Sequence, residues 1–183
     1  MKKIILFLLI GTFAFGLRAQ SEDGAQSAEI KWMSFEEAVE ASKSQSKKFF
    51  IDVYTDWCGW CKRMDKDTYT HPIIVELINE YYWPVKLDAE MKETVKVFGQ
   101  EFVNEFPDKR RNPHQLAIAL LNGKMSYPSV VYLDEKGNMI KAIPGYQKPD
   151  GMEPILNFFA EDAHLKEGAD LNTYQKKFVS KLK

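Results

Sequence analysis

The sequence is poor in cysteine: Cys58 and Cys61 are the only two among its 183 residues. A disulfide between them would close a loop over two intervening residues, which removes little entropy from the unfolded chain. Such a bridge would therefore stabilise the folded protein little. A structural disulfide and a redox-active pair both remain open on composition alone, and the spacing favours the redox pair.

The sequence also lacks a second pair of closely spaced metal ligands. Cys58 and Cys61 could form half of a zinc site, but His71, His114 and His164 are scattered along the chain. Structural zinc sites usually combine two closely spaced pairs of ligands. We therefore expect no metal site, and no cofactor other than a disulfide between the two cysteines.

Neither sign of charge is in excess, since 25 Lys and Arg residues stand against 26 Asp and Glu residues. A net charge of -1 gives no electrostatic reason to expect a nucleic acid as a partner. The short basic run Lys109, Arg110 and Arg111 is expected to lie in an exposed loop, and we assign it no function.

The apolar run at residues 4–15 is too short to span a membrane, which takes roughly twenty residues. It follows Lys2 and Lys3 and precedes Leu17, Arg18 and Ala19, a pattern typical of a secretory signal peptide. We predict that residues 1–19 are a cleaved signal, that residues 20–29 form a flexible leader, and that the mature protein is soluble in the periplasm. An uncleaved anchor is the alternative.

The rest of the chain contains no internal repeat or low-complexity tract. Its length and a hydrophobic content of 45% suffice for one domain with a sizeable core. We place this domain at residues 30–165 and a C-terminal helical extension at residues 166–183. We expect a monomer.

The first half of the chain has the pattern of a strand, helix, strand unit. Ser34 and Glu37 form a capping box that opens a helix over residues 34–43. Residues 49–54 are apolar and rich in aromatic and β-branched side chains, which predicts a buried central strand. Helical spacing follows the cysteines, with a kink or restart at Pro72. Residues 83–88 predict a second strand, parallel to the first.

The second half predicts helices and a hairpin. Apolar spacing indicates a helix over residues 91–104, and Asn112-Pro113 opens another that Gly123 can end. Two apolar runs, 130–133 and 139–143, flank a turn sequence and predict a β-hairpin. Further helices are expected over residues 150–165 and 170–182.

The two cysteines stand between the first predicted strand and the helix that follows it. A thiol in the first turn of a helix lies near unpaired backbone N–H groups and the positive end of the helix dipole, which favour the thiolate. Cys58 is therefore the predicted nucleophile. Cys61 is near enough to resolve a mixed disulfide formed at Cys58.

These features resemble the thioredoxin superfamily, and residues 50–90 look most like the C-terminal extracytoplasmic domain of thiol:disulfide interchange proteins. The resemblance rests on Asp52-Val53-Tyr54-Thr55-Asp56-Trp57-Cys58-Gly59-Trp60-Cys61-Lys62, on Lys86-Leu87-Asp88 and on Tyr127-Pro128-Ser129. It implies an α/β thioredoxin-like fold, with a mixed central sheet between helices. The helix over residues 112–122 and the one at the C-terminus look like additions to that fold.

The resemblance also implies roles for residues near the cysteines. Asp52 would assist proton transfer at Cys61, and Lys86 would pair with Asp52; a solvated acid at a strand edge is the alternative for Asp52. A cis bond before Pro128 would present the backbone of Tyr127 to an extended partner segment. We assign partner binding to these two residues and to three from the cysteine motif, namely Trp57, Gly59 and Trp60. We expect Trp57 to be partly packed and Trp60 to be exposed.

The expected activity is disulfide exchange with protein thiols and disulfides. Similarity to the interchange domain favours a reductase that receives electrons from a membrane donor. An oxidase or isomerase using the same thiols, and a non-enzymatic binding or chaperone module, remain as alternatives. The enzymatic interpretation requires that the two sulfurs lie at the start of a helix and are not shielded from solvent.

Overall fold

The computed structural model describes residues 29–182, which form a central sheet, a small hairpin and six α-helices. The strands are β1 (Lys48–Tyr54), β2 (Tyr82–Asp88), β3 (Val95–Val97), β4 (Gln100–Phe102), β5 (Ser129–Leu133) and β6 (Met139–Pro144). The helices are α1 (Phe35–Ser42), α2 (Gly59–Asp67), α3 (Pro72–Tyr81), α4 (Gln115–Leu120), α5 (Pro149–Ala160) and α6 (Leu171–Lys177). The predicted signal peptide and residues 20–28 of the predicted leader lie outside the described residues.

The central sheet has four strands in the order β2, β1, β5, β6. Strand β1 pairs in parallel with β2 and antiparallel with β5, and β5 pairs antiparallel with β6. The sheet is therefore mixed, as predicted. Strand β2 lies at the edge of the sheet and pairs with another strand on one side only. Pro84, which has no backbone N–H to donate, can therefore be accommodated there.

Helices cover both faces of the sheet. Side chains along β1 alternate between the faces: Phe50 packs in a cluster with Ile78 of α3 and Leu156 of α5, while Ile51 packs in a second cluster with Leu116 of α4. Helix α1 contributes to this second cluster. The predicted fold class, a mixed sheet between helices, is confirmed.

Local signals in the sequence set several helix boundaries correctly. The Ser34 hydroxyl accepts the N–H of Glu37, and the Glu37 carboxylate accepts the N–H of Ser34, so the capping box forms at the start of α1. Pro72 occupies the first turn of α3, where its missing N–H costs no hydrogen bond. The chain therefore restarts as a new helix at Pro72.

The helix predicted over residues 91–104 is wrong, because this segment contains the antiparallel hairpin of β3 and β4. Phe98 and Gly99 both have positive φ, 51° and 75°, which makes a tight turn that a helix cannot contain. Val95 and Val97 are buried on either side of the exposed Lys96, an alternation typical of a strand. The apolar spacing that resembled a helix also fits this hairpin.

The remaining helices are shorter than predicted. Helix α4 begins after His114 rather than at residue 112, and Gly123, at φ 72°, donates its N–H to the carbonyl of Ile118 near the helix end. Helix α5 ends at Ala160, before a short 3-10 helix (Ala163–Leu165). Within residues 29–182, no helix combines the length and apolar character that membrane crossing requires.

Candidate active site

Cys58 and Cys61 are joined by a disulfide at the start of α2, with their Cα atoms 5.3 Å apart. Cys58 is the N-cap of the helix, and its sulfur accepts the backbone N–H of Cys61 at 3.0 Å. A sulfur in this position is stabilised as a thiolate by that N–H and by the helix dipole once the disulfide is reduced. The structure thus meets the requirement for a helix start.

The second requirement, that the two sulfurs are not shielded from solvent, is not met, because both cysteines are buried. Cys58 is 5% exposed and Cys61 is 2% exposed. Of the two, Cys58 keeps the larger exposed fraction, so it is the cysteine that a partner can reach more readily. This difference matches an attacking role for Cys58 and a resolving role for Cys61.

Asp52 lies within β1 and is only 1% exposed, so it is not a solvated acid at a strand edge. Its carboxylate accepts hydrogen bonds from the Tyr69 hydroxyl at 3.0 Å and from the Lys86 ammonium at 2.6 Å. Burial raises the pKa of Asp52 although the charge of Lys86 opposes the shift. The structure confirms the pairing of Asp52 with Lys86.

The ammonium group of Lys86 joins the sheet to the helix that carries the cysteines. Besides Asp52, it forms an ion pair with Asp65 of α2. It also lies 4.9 Å from the ring centre of Trp32 and 5.1 Å from those of Tyr54 and Tyr69. Burial alone would lower the pKa of Lys86, but its attraction to the two carboxylates raises it overall.

The peptide bond between Tyr127 and Pro128 is cis, as the family resemblance implied. The Pro128 carbonyl accepts the N–H of Gly145 at 2.8 Å. Across residues 29–182, no hydrogen bond uses the backbone N–H or carbonyl of Tyr127. These groups are available to an extended segment of another chain.

Trp57 and Trp60 flank the disulfide and are 50% and 57% exposed. Trp57 packs edge-on against Tyr127, with ring centres 5.9 Å apart, and Trp60 lies 5.4 Å from Tyr146. Gly59, between them in the motif, is exposed, and a Cβ built there would meet no atom within 4 Å. Trp57 is partly packed and Trp60 exposed, as expected.

An arginine lies over each tryptophan. The guanidinium carbon of Arg111 is 4.7 Å from the Trp57 ring centre, and that of Arg63 is 5.5 Å from the Trp60 ring centre. The indole N–H of Trp57 also donates to Glu90 at 3.0 Å. Arg111 belongs to the basic run to which the sequence analysis assigned no function.

Sequence reasoning missed several residues around the site. They are Arg63, Asp65, Tyr69, Glu90, Arg111 and Tyr146. Only Arg63 and Asp65 could have been placed near the site from the sequence, because each lies within one or two turns of the cysteines on the predicted helix. The others come from segments whose position depends on the fold.

Each of the three histidines lies in a helix or directly before one. His114 is fully buried and is the N-cap of α4, where its ring accepts the N–H of Leu116 at 3.1 Å. His71 is the N-cap residue of α3, and His164 lies in the short 3-10 helix.

A family model described as "Thioredoxin-like domain" matches residues 35–160. The chain is 24% identical over 149 residues to the thiol:disulfide interchange protein DsbD of Colwellia psychrerythraea, covering 75% of this chain and 21% of that protein. It is 33% identical over 67 residues to DsbD of Pseudoalteromonas atlantica, covering 37% and 11%. The chain thus spans only a small part of these relatives.

A solved structure of the oxidoreductase DsbH is similar in fold. It superimposes with a TM-score of 0.54 over 80% of this chain and 94% of that chain, at 17% identity. At this identity the similarity concerns the fold, which agrees with the sheet and helix arrangement described above.

Proposed function

The chain belongs to the thioredoxin-like domain family, and we propose that it is a thiol-disulfide oxidoreductase acting on protein partners outside the cytoplasm, in the direction of reduction. The observation that carries this proposal is the sulfur of Cys58 at the N-cap of α2, bonded to Cys61 and accepting its backbone N–H. This placement supplies both a stabilised thiolate and a second thiol to resolve the product.

The exchange takes two steps. The Cys58 thiolate attacks one sulfur of a partner disulfide, forms a mixed disulfide, and releases the other partner sulfur as a thiolate that takes up a proton. Cys61 then loses its proton and attacks the Cys58 sulfur, which expels the second partner thiolate. Two electrons pass to the partner, and the protein is left with the Cys58–Cys61 disulfide.

Asp52 is the proposed base for Cys61 in the second step. Its raised pKa brings its proton affinity closer to that of a thiol, which favours proton transfer in both directions. Tyr69 and Lys86 hold the carboxylate in place. Burial raises the pKa of Tyr69 well above its ordinary value, so its hydroxyl stays a hydrogen-bond donor.

The tryptophans and Tyr127 form the proposed surface for the partner. An extended partner segment would pair with the free backbone groups of Tyr127 and place its cysteine at Cys58. The exposed faces of Trp57 and Trp60 would supply apolar contact on either side.

The reductive direction and the periplasmic location are supported by the interchange proteins that the chain resembles and by the secretory pattern of residues 1–19. A membrane protein is the proposed electron donor. Measurement of the reduction potential tests the direction: a value near -270 mV supports a reductant, whereas a value near -120 mV supports an oxidant.

Replacement of the cysteines tests the chemistry. We expect Cys58→Ser to abolish the reduction of insulin disulfides by dithiothreitol-regenerated protein. Cys61→Ala should still attack but should accumulate mixed disulfides, because nothing resolves them. Non-reducing electrophoresis and mass spectrometry of trapped partners measure this difference.

Each alternative predicts a different result. A membrane electron donor among the species trapped by Cys61→Ala supports the reductase, whereas newly secreted clients alone support a folding oxidase or isomerase. Insulin reduction that survives both Cys58→Ser and Cys61→Ser would remove the enzymatic assignment and leave a binding or chaperone module.

A further inference from the structure

The ring of Trp57 is held on three sides although half of its surface is exposed. Arg111 lies over one face at 4.7 Å, Glu90 accepts the indole N–H at 3.0 Å, and Tyr127 packs against it edge-on. An exposed tryptophan beside a reactive cysteine needs no such restraint to fold. The restraint therefore points to a requirement for a fixed ring position.

Arg111 and Glu90 belong to the segment between β2 and α4, which is closed on itself. Its ends are joined by a hydrogen bond from the N–H of His114 to the carbonyl of Ala89, at 2.7 Å. The segment thus forms a loop with its own internal support, from which both residues reach the Trp57 ring.

Asn104 connects the two parts of this loop from inside. It is buried, and its side-chain amide donates to the carbonyls of Met91 and Asn112, both at 3.1 Å. Its side-chain oxygen accepts from the amide of Asn112 at 2.6 Å. Met91 follows Glu90 and Asn112 follows Arg111, so Asn104 fixes the backbone beside both contacts to Trp57.

The backbone of Arg111 has φ 57°, a left-handed conformation that is unfavourable for a residue with a side chain. Among residues 29–182, its guanidinium group makes no ion pair. Its described contact is the one with the Trp57 ring. The loop therefore holds a strained residue whose side chain is directed to Trp57.

We propose that Glu90 and Arg111 are positioning residues: they hold the Trp57 ring in a fixed position, where it contacts the partner segment. This inference rests on the proposed function, because it concerns partner binding at the same site. A side chain that is ordered before binding loses less entropy when the partner packs against it. The partner chemistry that fits is an extended protein segment with an apolar side chain beside its cysteine.

Kinetics with two substrates test the proposal. In Arg111→Gln and Glu90→Ala, KM for insulin should rise about two- to tenfold with kcat little changed, because an ordered side chain is lost from the binding surface. The rate with 2-hydroxyethyl disulfide should not change, because this substrate is too small to depend on contact with Trp57. Arg111→Lys and Glu90→Gln should recover part of the loss, because they keep a cation and an acceptor respectively.

A matched control comes from the neighbouring residue. The side chain of Arg110 is exposed and makes no hydrogen bond, ion pair or ring contact with any of residues 29–182. Arg110→Gln removes the same charge as Arg111→Gln, and we expect it to leave KM for insulin unchanged. An equal rise in both variants would show a general charge effect and would overturn the proposal.

Fluorine NMR of protein labelled with 5-fluorotryptophan reports the ring directly. The chain has four tryptophans, and the Trp57 resonance is assigned by its loss in Trp57→Phe. This resonance should shift or broaden in Arg111→Gln and Glu90→Ala, while that of Trp83 stays in place.

The two readouts together decide the outcome. A higher KM without a change in the Trp57 resonance means that Arg111 contacts the partner itself, and a changed resonance without a higher KM means that the contacts are only structural. Either result overturns the positioning role. If the unaltered protein reduces neither substrate, the proposed function fails and the inference falls with it, whereas activity that no variant affects overturns the inference alone.

Discussion

At the residue scale, Asp52 is a carboxylate in an environment that excludes water. Strand alternation places it on the same face as Phe50, towards α3 and α5, where water is excluded. A carboxylate in such a place must be neutral or paired, and Lys86 and Tyr69 supply the partners. The same environment that makes Asp52 a suitable base makes it costly for folding.

We predict that Asp52→Asn removes a pH-dependent part of the protein's stability and slows exchange. Because the folded-state pKa of Asp52 is raised above its unfolded value, the folded state binds the proton more tightly. The contribution of Asp52 to the free energy of unfolding therefore falls as the pH rises above about 4 through the folded-state pKa. Lys86 stays charged throughout this range because its own pKa is raised.

Urea unfolding at pH 4 and pH 8 measures the effect: the difference in unfolding free energy between Asp52→Asn and the wild type should shift in favour of the variant by about 1 kcal/mol from pH 4 to pH 8. Release from the mixed disulfide should slow by about tenfold or more without this base. Asp56→Asn, a change at an exposed carboxylate in the same motif, should do neither. A wild-type pH dependence in Asp52→Asn would contradict the assignment.

At the scale of elements, α5 holds the end of the chain through one buried acid. Glu153 is fully buried within the helix, and its carboxylate accepts the Ser180 hydroxyl at 2.5 Å and the backbone N–H of Lys181 at 2.8 Å. The segment after α6 is therefore attached to the domain although it is not helical. The predicted helix over residues 170–182 is correct only for Leu171–Lys177.

We predict that Glu153→Ala releases this terminal segment. The change removes the two hydrogen bonds that the Ser180 hydroxyl and the Lys181 N–H donate to the carboxylate, which should lower the free energy of unfolding by about 1–3 kcal/mol. Trypsin should then cut after Lys177 and Lys181 faster than in the unaltered protein. Glu167→Ala, at an exposed position, is the control. Equal cleavage of the two variants would show that Glu153 does not hold the segment.

At the scale of the whole molecule, two apolar clusters pack on opposite faces of one sheet. Strand β1 supplies residues to both, with Phe50 in one and Ile51 in the other. The aromatic rings of Phe50, Tyr82 and Tyr132 meet at centre distances of 5.6 to 6.0 Å. The helix of the cysteines rests on this packed layer through Met64, so the site depends on the core for its geometry.

We predict a large difference between two isoleucine truncations. Ile78→Ala in α3 removes a fully buried side chain and should cost about 2–5 kcal/mol of unfolding free energy. Ile118→Ala in α4 removes a side chain that is 41% exposed and should cost less than about 1 kcal/mol. Guanidinium unfolding followed by circular dichroism measures both, and similar losses would contradict the described packing.

The sequence by itself determined those features that depend on neighbouring residues. Three features could be predicted from the sequence, because caps, turns and periodicity act over a few residues. They are the capping box at Ser34, the restart at Pro72 and the position of Cys58 between a strand and a helix. The segment over residues 91–104 was misread for the same reason: a short apolar pattern fits both a helix and a hairpin, and packing chose the hairpin.

Only the tertiary structure decided which distant residues surround the disulfide. Lys86 meets Asp65 because β2 lies beside β1 under α2, and Arg111 and Glu90 meet Trp57 because their loop folds back over the cysteine motif. No local pattern encodes such contacts. They arise when burial of the two clusters brings separate segments together, so their identity follows from the packing of the whole chain.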